Sequence, residues 1–182
     1  MPSLSEPPAT FEEDPITTTG SDNLPRPAAA VVQAGRLAGL DLAVCEFPDG
    51  TRTAADAARA VGCDVGQIVK SLVFVADATP VLVLTSGGNR VDEAKVARLA
   101  GAAAVRKADA EEARTATGYA IGGTPPFGHP SRLRVLVDQD LTGFELVWAA
   151  AGTPRHVFPI TPAALLRASG GQVADMAAAS GA

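Results

Sequence analysis

Cysteine and histidine are scarce in this 182-residue chain, and the catalytic motifs built on them are missing. Cys45 and Cys63 are too few for a disulfide framework and lack the spacing of zinc ligands. His129 and His156 are the only histidines, and no serine or cysteine stands in a nucleophile-elbow motif. Covalent and metal-assisted chemistry therefore have few candidate residues, and we expect no metal and no cofactor.

Long apolar runs and a secretion signal are also missing. Apolar residues make up 47% of the chain, but no run approaches the ~18 residues of a membrane helix. The N-terminus lacks a basic region followed by an apolar stretch. We therefore expect a cytoplasmic protein of about one domain, with no membrane partner.

The net charge of −5 is concentrated near the N-terminus, where residues 1–27 hold five acidic residues against Arg26 alone. This segment is also rich in proline, serine and threonine, a composition typical of disorder. We expect a disordered leader over residues 1–27 and a folded domain over residues 28–182. That domain is close to neutral and lacks the basic character of a DNA-binding protein, so phosphate contacts would come from local clusters such as Arg132–Arg134 and Arg155.

Five helices are predicted from capping residues at their starts and glycines at their ends. A helix that opens at Thr53 has Asp56 three residues on, and one that opens at Asp109 has Glu112. Asn89 is the expected N-cap of another. The predicted helices cover residues 28–39, 53–62, 90–100, 109–118 and 161–170.

Alternating or continuous apolar runs predict six strands, over residues 42–47, 67–77, 80–86, 132–138, 145–152 and 156–160. The second and third are separated by a short turn and predict a hairpin. The strands outnumber those of a doubly wound sheet, and short turns join neighbours. The expected fold is therefore α+β, with a mixed, largely antiparallel sheet curled into a partial barrel flanked by helices.

Lys70 is the most informative single residue. Strand alternation in QIVKSLVFV (67–75) places Lys70 on one face with Ile68, Leu72 and Phe74. Lysine is almost never fully buried unless it is paired. Lys70 is therefore either a strand-end lysine whose ammonium reaches water, or a lysine at the floor of a pocket that donates to a carbonyl, phosphate or ribose oxygen.

The segment TGYAIGGTPPFGHP (117–130) combines four glycines with three prolines. Gly122 and Gly123 would let backbone N–H groups come close to a ligand oxygen, as a site that stabilises an oxyanion requires. The segment matches neither a phosphate loop nor a dinucleotide-binding motif. On composition alone it is either a turn or a site.

Three stretches of the chain follow one another in a characteristic order: IVKSLVFV (68–75), GYAIGGTPPFG (118–128) and VWAAAGTPRHVFPI (147–160). Together they resemble the YbaK/ProX family of prolyl-tRNA synthetase-associated editing domains, which hydrolyse wrongly charged aminoacyl-tRNA. The resemblance covers roughly residues 28–178 and implies the mixed-sheet fold expected above.

The resemblance also implies roles for individual residues. Lys70 matches the family's essential strand lysine, which helps to hold the 3′-terminal adenosine of the tRNA. Gly122 and Gly123 match the glycine loop whose backbone orients the scissile carbonyl or its water. His156 matches a histidine that assists the reaction in some members. The substrate-binding residues implied are Ser71, Thr124, Pro125, Gly152 and Thr153.

The implied function is a freestanding trans-editing deacylase that acts on the 3′ acceptor end of aminoacyl-tRNA, with a positioned water and with a synthetase as a candidate partner. Ala150 stands where the cysteine-specific branch has serine, so the amino acid removed stays open. Two other functions also stay open. One is a non-catalytic module on the same scaffold that binds tRNA ends or a synthetase, and the other is a hydrolase of another small ester or nucleotide.

Overall fold

The computed structural model describes residues 16–47 and 50–180. Its α-helices are α1 (Arg26–Leu37), α2 (Ala54–Val61), α3 (Glu93–Ala100), α4 (Ala110–Thr117) and α5 (Pro162–Ser169). Its strands are β1 (Thr17–Thr18), β2 (Cys45–Glu46), β3 (Val69–Ala76), β4 (Thr79–Ser86), β5 (Val105–Lys107), β6 (Arg134–Asp138), β7 (Val147–Ala150), β8 (His156–Ile160) and β9 (Gln172–Ala174). Among the helices of the described residues, none has the length and apolar character needed to span a bilayer.

Side-chain caps confirm three of the predicted helix starts. The hydroxyl of Thr53 accepts the N–H of Asp56, and the carboxylate of Asp56 accepts the N–H of Thr53, both at 3.1 Å. Asp109 and Glu112 form the same reciprocal pair at the start of α4. Thr161 caps α5 through its hydroxyl. These caps satisfy N–H groups that the first turn of a helix would otherwise leave unpaired.

The predicted cap at Asn89 is wrong. α3 is capped by Asp92, whose carboxylate accepts the N–H groups of Ala94 and Lys95 at 2.9 and 3.1 Å. Asn89 instead closes a turn after β4, where its N–H donates to the carbonyl of Ser86 at 2.9 Å. Both residue types cap helices well, and the carboxylate nearer to the apolar run takes the position.

The strands form two sheets. The four-stranded sheet, in the order β1-β2-β8-β7, is antiparallel throughout. The five-stranded sheet, in the order β5-β3-β4-β6-β9, contains the predicted β3–β4 hairpin, and β6 runs parallel to both of its neighbours. An isolated parallel bridge between Ile68 and Trp148 connects the two. The α+β class with a mixed, largely antiparallel sheet is thus confirmed. The sheets of the described residues do not close into a barrel, and the partial barrel stays a prediction.

The five-stranded sheet has one face that changes from apolar to polar along its length. Leu72 and Phe74 on β3 pack in a buried apolar cluster beside α3, and Val83 pairs with Leu72 across the hairpin. One step further along the same face, Lys70 pairs with Thr85. Cross-strand partners point to the same side of a sheet, so Lys70 lies where the apolar face ends.

The folded part of the chain starts before residue 28. β1 pairs with β2 in antiparallel register, and α1 begins at Arg26, inside the segment expected to be a leader. The backbone of Pro27 lies against Gly152, since a Cβ atom on that glycine would be 2.6 Å from the carbonyl oxygen of Pro27. The structure therefore gives residues 16–27 short elements that contact the domain, and the leader with its boundary at residue 28 stays a prediction. Residues 1–15 lie outside the described residues.

Two truncations test this boundary. A chain that begins at Ile16 is expected to keep the melting temperature of the full chain. A chain that begins at Ala28 is expected to melt several degrees lower, because it lacks β1 and the backbone contact of Pro27 with Gly152. In a domain of this size, each kcal/mol of lost stability lowers the Tm by about 2–4 °C. Calorimetry checks the difference, and equal melting temperatures would show that residues 16–27 do not stabilise the fold.

Candidate functional site

A cleft of about 320 Å³ opens between α2, β3 and the loops that follow α4 and precede β8. Its volume is within the range of small-molecule sites. The predicted site residues that line it are Lys70, Ser71, Gly122, Thr124, Thr153 and His156. The remaining three, Gly123, Pro125 and Gly152, are buried and do not line the cleft.

Sequence reasoning missed one wall of the cleft. Arg52, Ala54 and Ala57 contribute from α2 and the loop before it, and Trp148 contributes from β7. Trp148 is the single tryptophan of the chain, which is a signal that could have drawn attention to it. The alanines give no such signal, because small residues on one face of a helix are also typical of close packing. Arg52 is a cation in the lining of the cleft in addition to Lys70.

Lys70 is half-buried, and its ammonium donates a hydrogen bond to the backbone carbonyl of Asn89. Burial lowers the pKa of Lys70, and the nearby Lys107 lowers it further, whereas the carboxylate of Asp138 opposes the shift. An ammonium has three N–H donors, so two remain after the bond to Asn89. Of the two interpretations of Lys70, the structure favours the one in which it lines a pocket.

The two adjacent glycines have different environments. The N–H of Gly123 donates to the carbonyl of Ala120 at 3.1 Å, and a Cβ atom there would lie 2.7 Å from Cα of Thr153. Gly123 is therefore a packing residue. Gly122 is exposed with φ of 89°, and its N–H has no hydrogen-bond partner within the described residues. Of the pair, Gly122 is the one that can present its backbone N–H to a ligand.

Several of the residues expected to bind substrate have partners inside the protein. The hydroxyl of Thr124 donates to the carbonyl of Ala120 at 3.3 Å. The carbonyl of Pro125 lies 2.8 Å from Nε2 of His129. These bonds hold the glycine-rich segment in shape, as its prolines also do. We therefore place Pro125 in the support of the loop rather than in contact with a ligand.

Ser71 differs from these residues because its hydroxyl oxygen is buried and has no hydrogen-bond partner within the described part of the chain. A buried polar group left without a partner costs about 1–3 kcal/mol. Since Ser71 lines the cleft, a ligand with a polar group in reach would remove that cost.

His156 is 5% exposed, and its Nδ1 lies 2.6 Å from the hydroxyl oxygen of Thr153. That oxygen also accepts the N–H of Arg155 at 3.2 Å, and we infer that its own proton points at Nδ1. The ring proton is then on Nε2. Burial lowers the pKa of His156, while Glu46, its partner on β2, raises it and Arg155 lowers it. The net shift is downward, so His156 is a neutral N–H donor at pH 7.

A protein-family model matches more than half of the chain. The model described as an aminoacyl-tRNA editing domain matches residues 48–168, which include every residue that the resemblance singled out. A crystal structure described as a "putative trans-editing enzyme for prolyl tRNA synthetase" superimposes with a TM-score of 0.82 at 50% identity, over 86% of this chain and 99% of that one.

Curated relatives fall into two groups by length. The proline–tRNA ligase of Ligilactobacillus salivarius is 37% identical over 92 residues, which are 50% of this chain but only 16% of the ligase. EbsC of Enterococcus faecalis, named as a "putative Cys-tRNA(Pro)/Cys-tRNA(Cys) deacylase", is 26% identical over 125 residues, 68% of this chain and 76% of that protein. The chain thus resembles both a segment of a synthetase and a freestanding protein.

The different environments of the two glycines predict different costs of substitution. Gly123→Ala is expected to lower the melting temperature more than Gly122→Ala, because its Cβ would meet backbone atoms of Thr153 that cannot turn aside. At Gly122 the nearest atom, in Pro154, would be 3.7 Å away. Gly122→Ala then carries only the strain of a left-handed backbone, about 1–2 kcal/mol. Thermal melts compare the two variants, and equal losses would contradict the packing role of Gly123.

The hydrogen bond from Thr153 predicts the tautomer of His156. Nitrogen–proton NMR correlations at neutral pH should show the Nε2–H form in the wild-type protein and a mixture in Thr153→Val, since valine cannot donate to Nδ1. His129 is the internal control, because its Nε2 faces the carbonyl of Pro125 in both proteins. An Nδ1–H tautomer of His156 in the wild type would contradict the assignment.

Proposed function

The chain belongs to the aminoacyl-tRNA editing domain family, and we propose that it is a trans-editing deacylase that hydrolyses the ester of a mischarged tRNA. The observation that carries the proposal is the cleft in which Lys70, Gly122 and His156 meet from three separate segments of the chain. Each of these residues offers an N–H donor. Donors that converge on one cavity suit a reaction in which negative charge develops on a carbonyl oxygen.

The lining of the cleft supports binding of a tRNA acceptor end. Arg52 and Lys70 are cations that suit phosphate and ribose oxygens. Trp148 offers an aromatic surface on which an unpaired base can stack. Single-stranded RNA ends are recognised through such stacking and through hydrogen bonds to the ribose. We therefore assign the 3′-terminal adenosine to the side of the cleft that holds Lys70.

The hydrolysis proceeds by attack of water on the ester carbonyl. The water oxygen bonds to the carbonyl carbon and the carbonyl oxygen becomes negatively charged. When the carbonyl double bond re-forms, the bond to the ribose oxygen breaks. A proton given up by the water goes to that ribose oxygen, and the free amino acid and the ribose hydroxyl are released. In this proposal the N–H of Gly122 and the Nε2–H of His156 donate to the charged oxygen or hold the water, as oxyanion donors do. Because an aminoacyl ester is already activated, positioning of the water can suffice without a nucleophilic side chain.

The amino acid removed is small. The remaining surface of the cleft is mainly apolar and includes Ala54, Ala57, Ile68 and Val157. A synthetase gains only about 1–3 kcal/mol of discrimination from one methylene, so small impostors need a second, hydrolytic pocket. The relatives that carry this domain within a proline–tRNA ligase favour tRNA(Pro) as the RNA and a synthetase as a partner.

A panel of mischarged tRNAs tests the function. Alanyl-, cysteinyl- and seryl-tRNA(Pro) are compared with correctly charged prolyl-tRNA(Pro) and with a simple aryl ester. We expect at least one small aminoacyl ester to be hydrolysed well above its spontaneous rate, while prolyl-tRNA(Pro) and the aryl ester are spared. Binding of the tRNAs without hydrolysis would favour a non-catalytic module, and hydrolysis of the aryl ester alone would favour a different hydrolase.

Lys70→Met separates the charge of the lysine from its packing. Loss of a charge-assisted contact costs about 1.5–3 kcal/mol, so deacylation should fall at least tenfold. Stability should change little, because the variant removes a half-buried cation from a partly apolar site but also removes its hydrogen bond to the carbonyl of Asn89. Lys95→Met is the matched control, since Lys95 is also partly buried but forms its ion pair, with Asp175, outside the cleft. A Lys70→Met protein with full deacylase activity would show that the ammonium does not contact the substrate.

A further inference from the structure

Asp138 is a fully buried carboxylate at the end of β6 that the chemistry above does not use. Its Oδ2 accepts hydrogen bonds from the hydroxyl of Thr85, the N–H of Ser86 and the side-chain amide of Asn89, at 3.0, 3.1 and 2.9 Å. Its Oδ1 accepts the N–H of Asp140 at 3.1 Å. These donors compensate for the loss of water that a buried charge suffers.

Asn89 connects this carboxylate to Lys70. Its side-chain amide also donates to the carboxylate of Asp140 at 2.7 Å, so carboxylates hold the amide on two sides. Its backbone carbonyl accepts the hydrogen bond from the Lys70 ammonium. Among the ion pairs of the described residues, none joins Lys70 directly to Asp138. Asn89 therefore lies between the two charges.

The turn that carries Asn89 is held firmly. The N–H of Asn89 donates to the carbonyl of Ser86, and the N–H of Gly87 donates to the carbonyl of Ile68 at 2.7 Å. A Cβ atom on Gly87 would lie 2.3 Å from the carbonyl oxygen of Val65, so the turn presses directly on the chain that leads into β3. These backbone contacts fix the start of the turn relative to the strand that bears the lysine, and the side-chain bonds of Asn89 hold the residue whose carbonyl meets Lys70.

We propose that Asn89, anchored by Asp138, is a positioning residue for Lys70. Its carbonyl holds one N–H of the ammonium and directs the other two into the cleft. Lysine has a flexible four-carbon stem, and an anchor reduces the freedom that substrate binding would otherwise have to remove. The inference rests on the proposed function, because the direction of the ammonium matters only if Lys70 contacts the substrate.

The charges around Lys70 agree with this role. Burial and Lys107 lower its pKa, Asp138 raises it, and Arg90 lowers it. Asp138 is thus the neighbour that favours the charged form, which is the form that donates. The same carboxylate that anchors the turn also helps to keep the lysine protonated.

The test uses the lysines of the chain, Lys70, Lys95 and Lys107, as separate reporters. In protein labelled with nitrogen-15 at lysine Nζ, Asn89→Ala should shift the Lys70 signal and speed exchange of its protons, while the other signals stay. With alanyl- and cysteinyl-tRNA(Pro) as probes, kcat should fall by about ten- to a hundredfold, because small displacements of a reacting group cost that much. KM should change less, since phosphate contacts dominate RNA affinity.

Asp138→Asn gives a second test of the anchor. It removes the charge and replaces an acceptor oxygen with a donor, so it should shift the Lys70 signal and lower kcat as Asn89→Ala does. Asn89 is only half-buried, so Asn89→Ala is the variant more certain to fold, and a melting curve verifies this.

Asp92→Ala is the matched control. It removes two hydrogen bonds from the same loop but only uncaps α3, so stability should fall while the Lys70 signal and kcat stay near wild type. An unchanged Lys70 signal in Asn89→Ala overturns the proposal, and so does a changed signal with wild-type kcat. If the wild-type protein hydrolyses none of the three mischarged tRNAs of the panel, the proposed function fails, and the substrate-free Lys70 signal still decides whether Asn89 positions the lysine.

Discussion

Three segments of main chain lie in direct contact beside the cleft, and two glycines permit it. The backbone of Gly123 packs on Thr153, and the backbone of Gly152 packs on Pro27, each at a distance that leaves no room for a Cβ atom. These contacts fix the start of α1, the loop before β8 and the glycine-rich segment relative to one another. These backbone contacts position the exposed Gly122 and the Thr153–His156 pair. The geometry of the site therefore depends on the packing of main chain against main chain.

The electrostatics of the cleft follow from partial burial. Lys70 and His156 both lose water on folding, and in each case burial is the largest cause of a lowered pKa. The consequence differs because their ordinary pKa values differ: that of lysine lies well above neutral pH, whereas that of histidine lies just below it, so a downward shift favours the neutral form of His156. The cleft therefore combines one cationic donor with one neutral donor, and a single physical effect provides both.

Much of the fold could be predicted from the sequence because local signals decided it. Thr53, Asp109 and Thr161 cap helices through bonds to residues three positions away, which a sequence displays directly. The predicted cap at Asn89 was wrong because the side chain of Asn89 is held by carboxylates about fifty residues further along the chain. The strands β1, β5 and β9 were missed, since two or three residues paired at or near a sheet edge show no alternation.

The candidate site was predictable to the extent that its residues are unusual in their local context. Lys70 stands out as a cation in an apolar strand, and alternation places it correctly with Leu72. The difference between Gly122 and Gly123 could not be predicted, because it arises from contact with a loop some thirty residues away. Nor could the Asp138 network, in which a strand end, a turn and a lysine meet only after the sheet has assembled.

The order of strands has a consequence for how the protein is made. β2 lies early in the chain but is paired only with β1 and β8, and β8 is near the C-terminal end of the described residues. Pairings between distant segments form late, and a chain emerging from the ribosome folds from its N-terminal side. A nascent chain that has emerged only as far as the end of the β3–β4 hairpin contains Lys70. It does not yet contain His156 or the loop that supports it. The lining of the cleft is complete only after β8 has emerged, so a partly synthesised chain has no complete site.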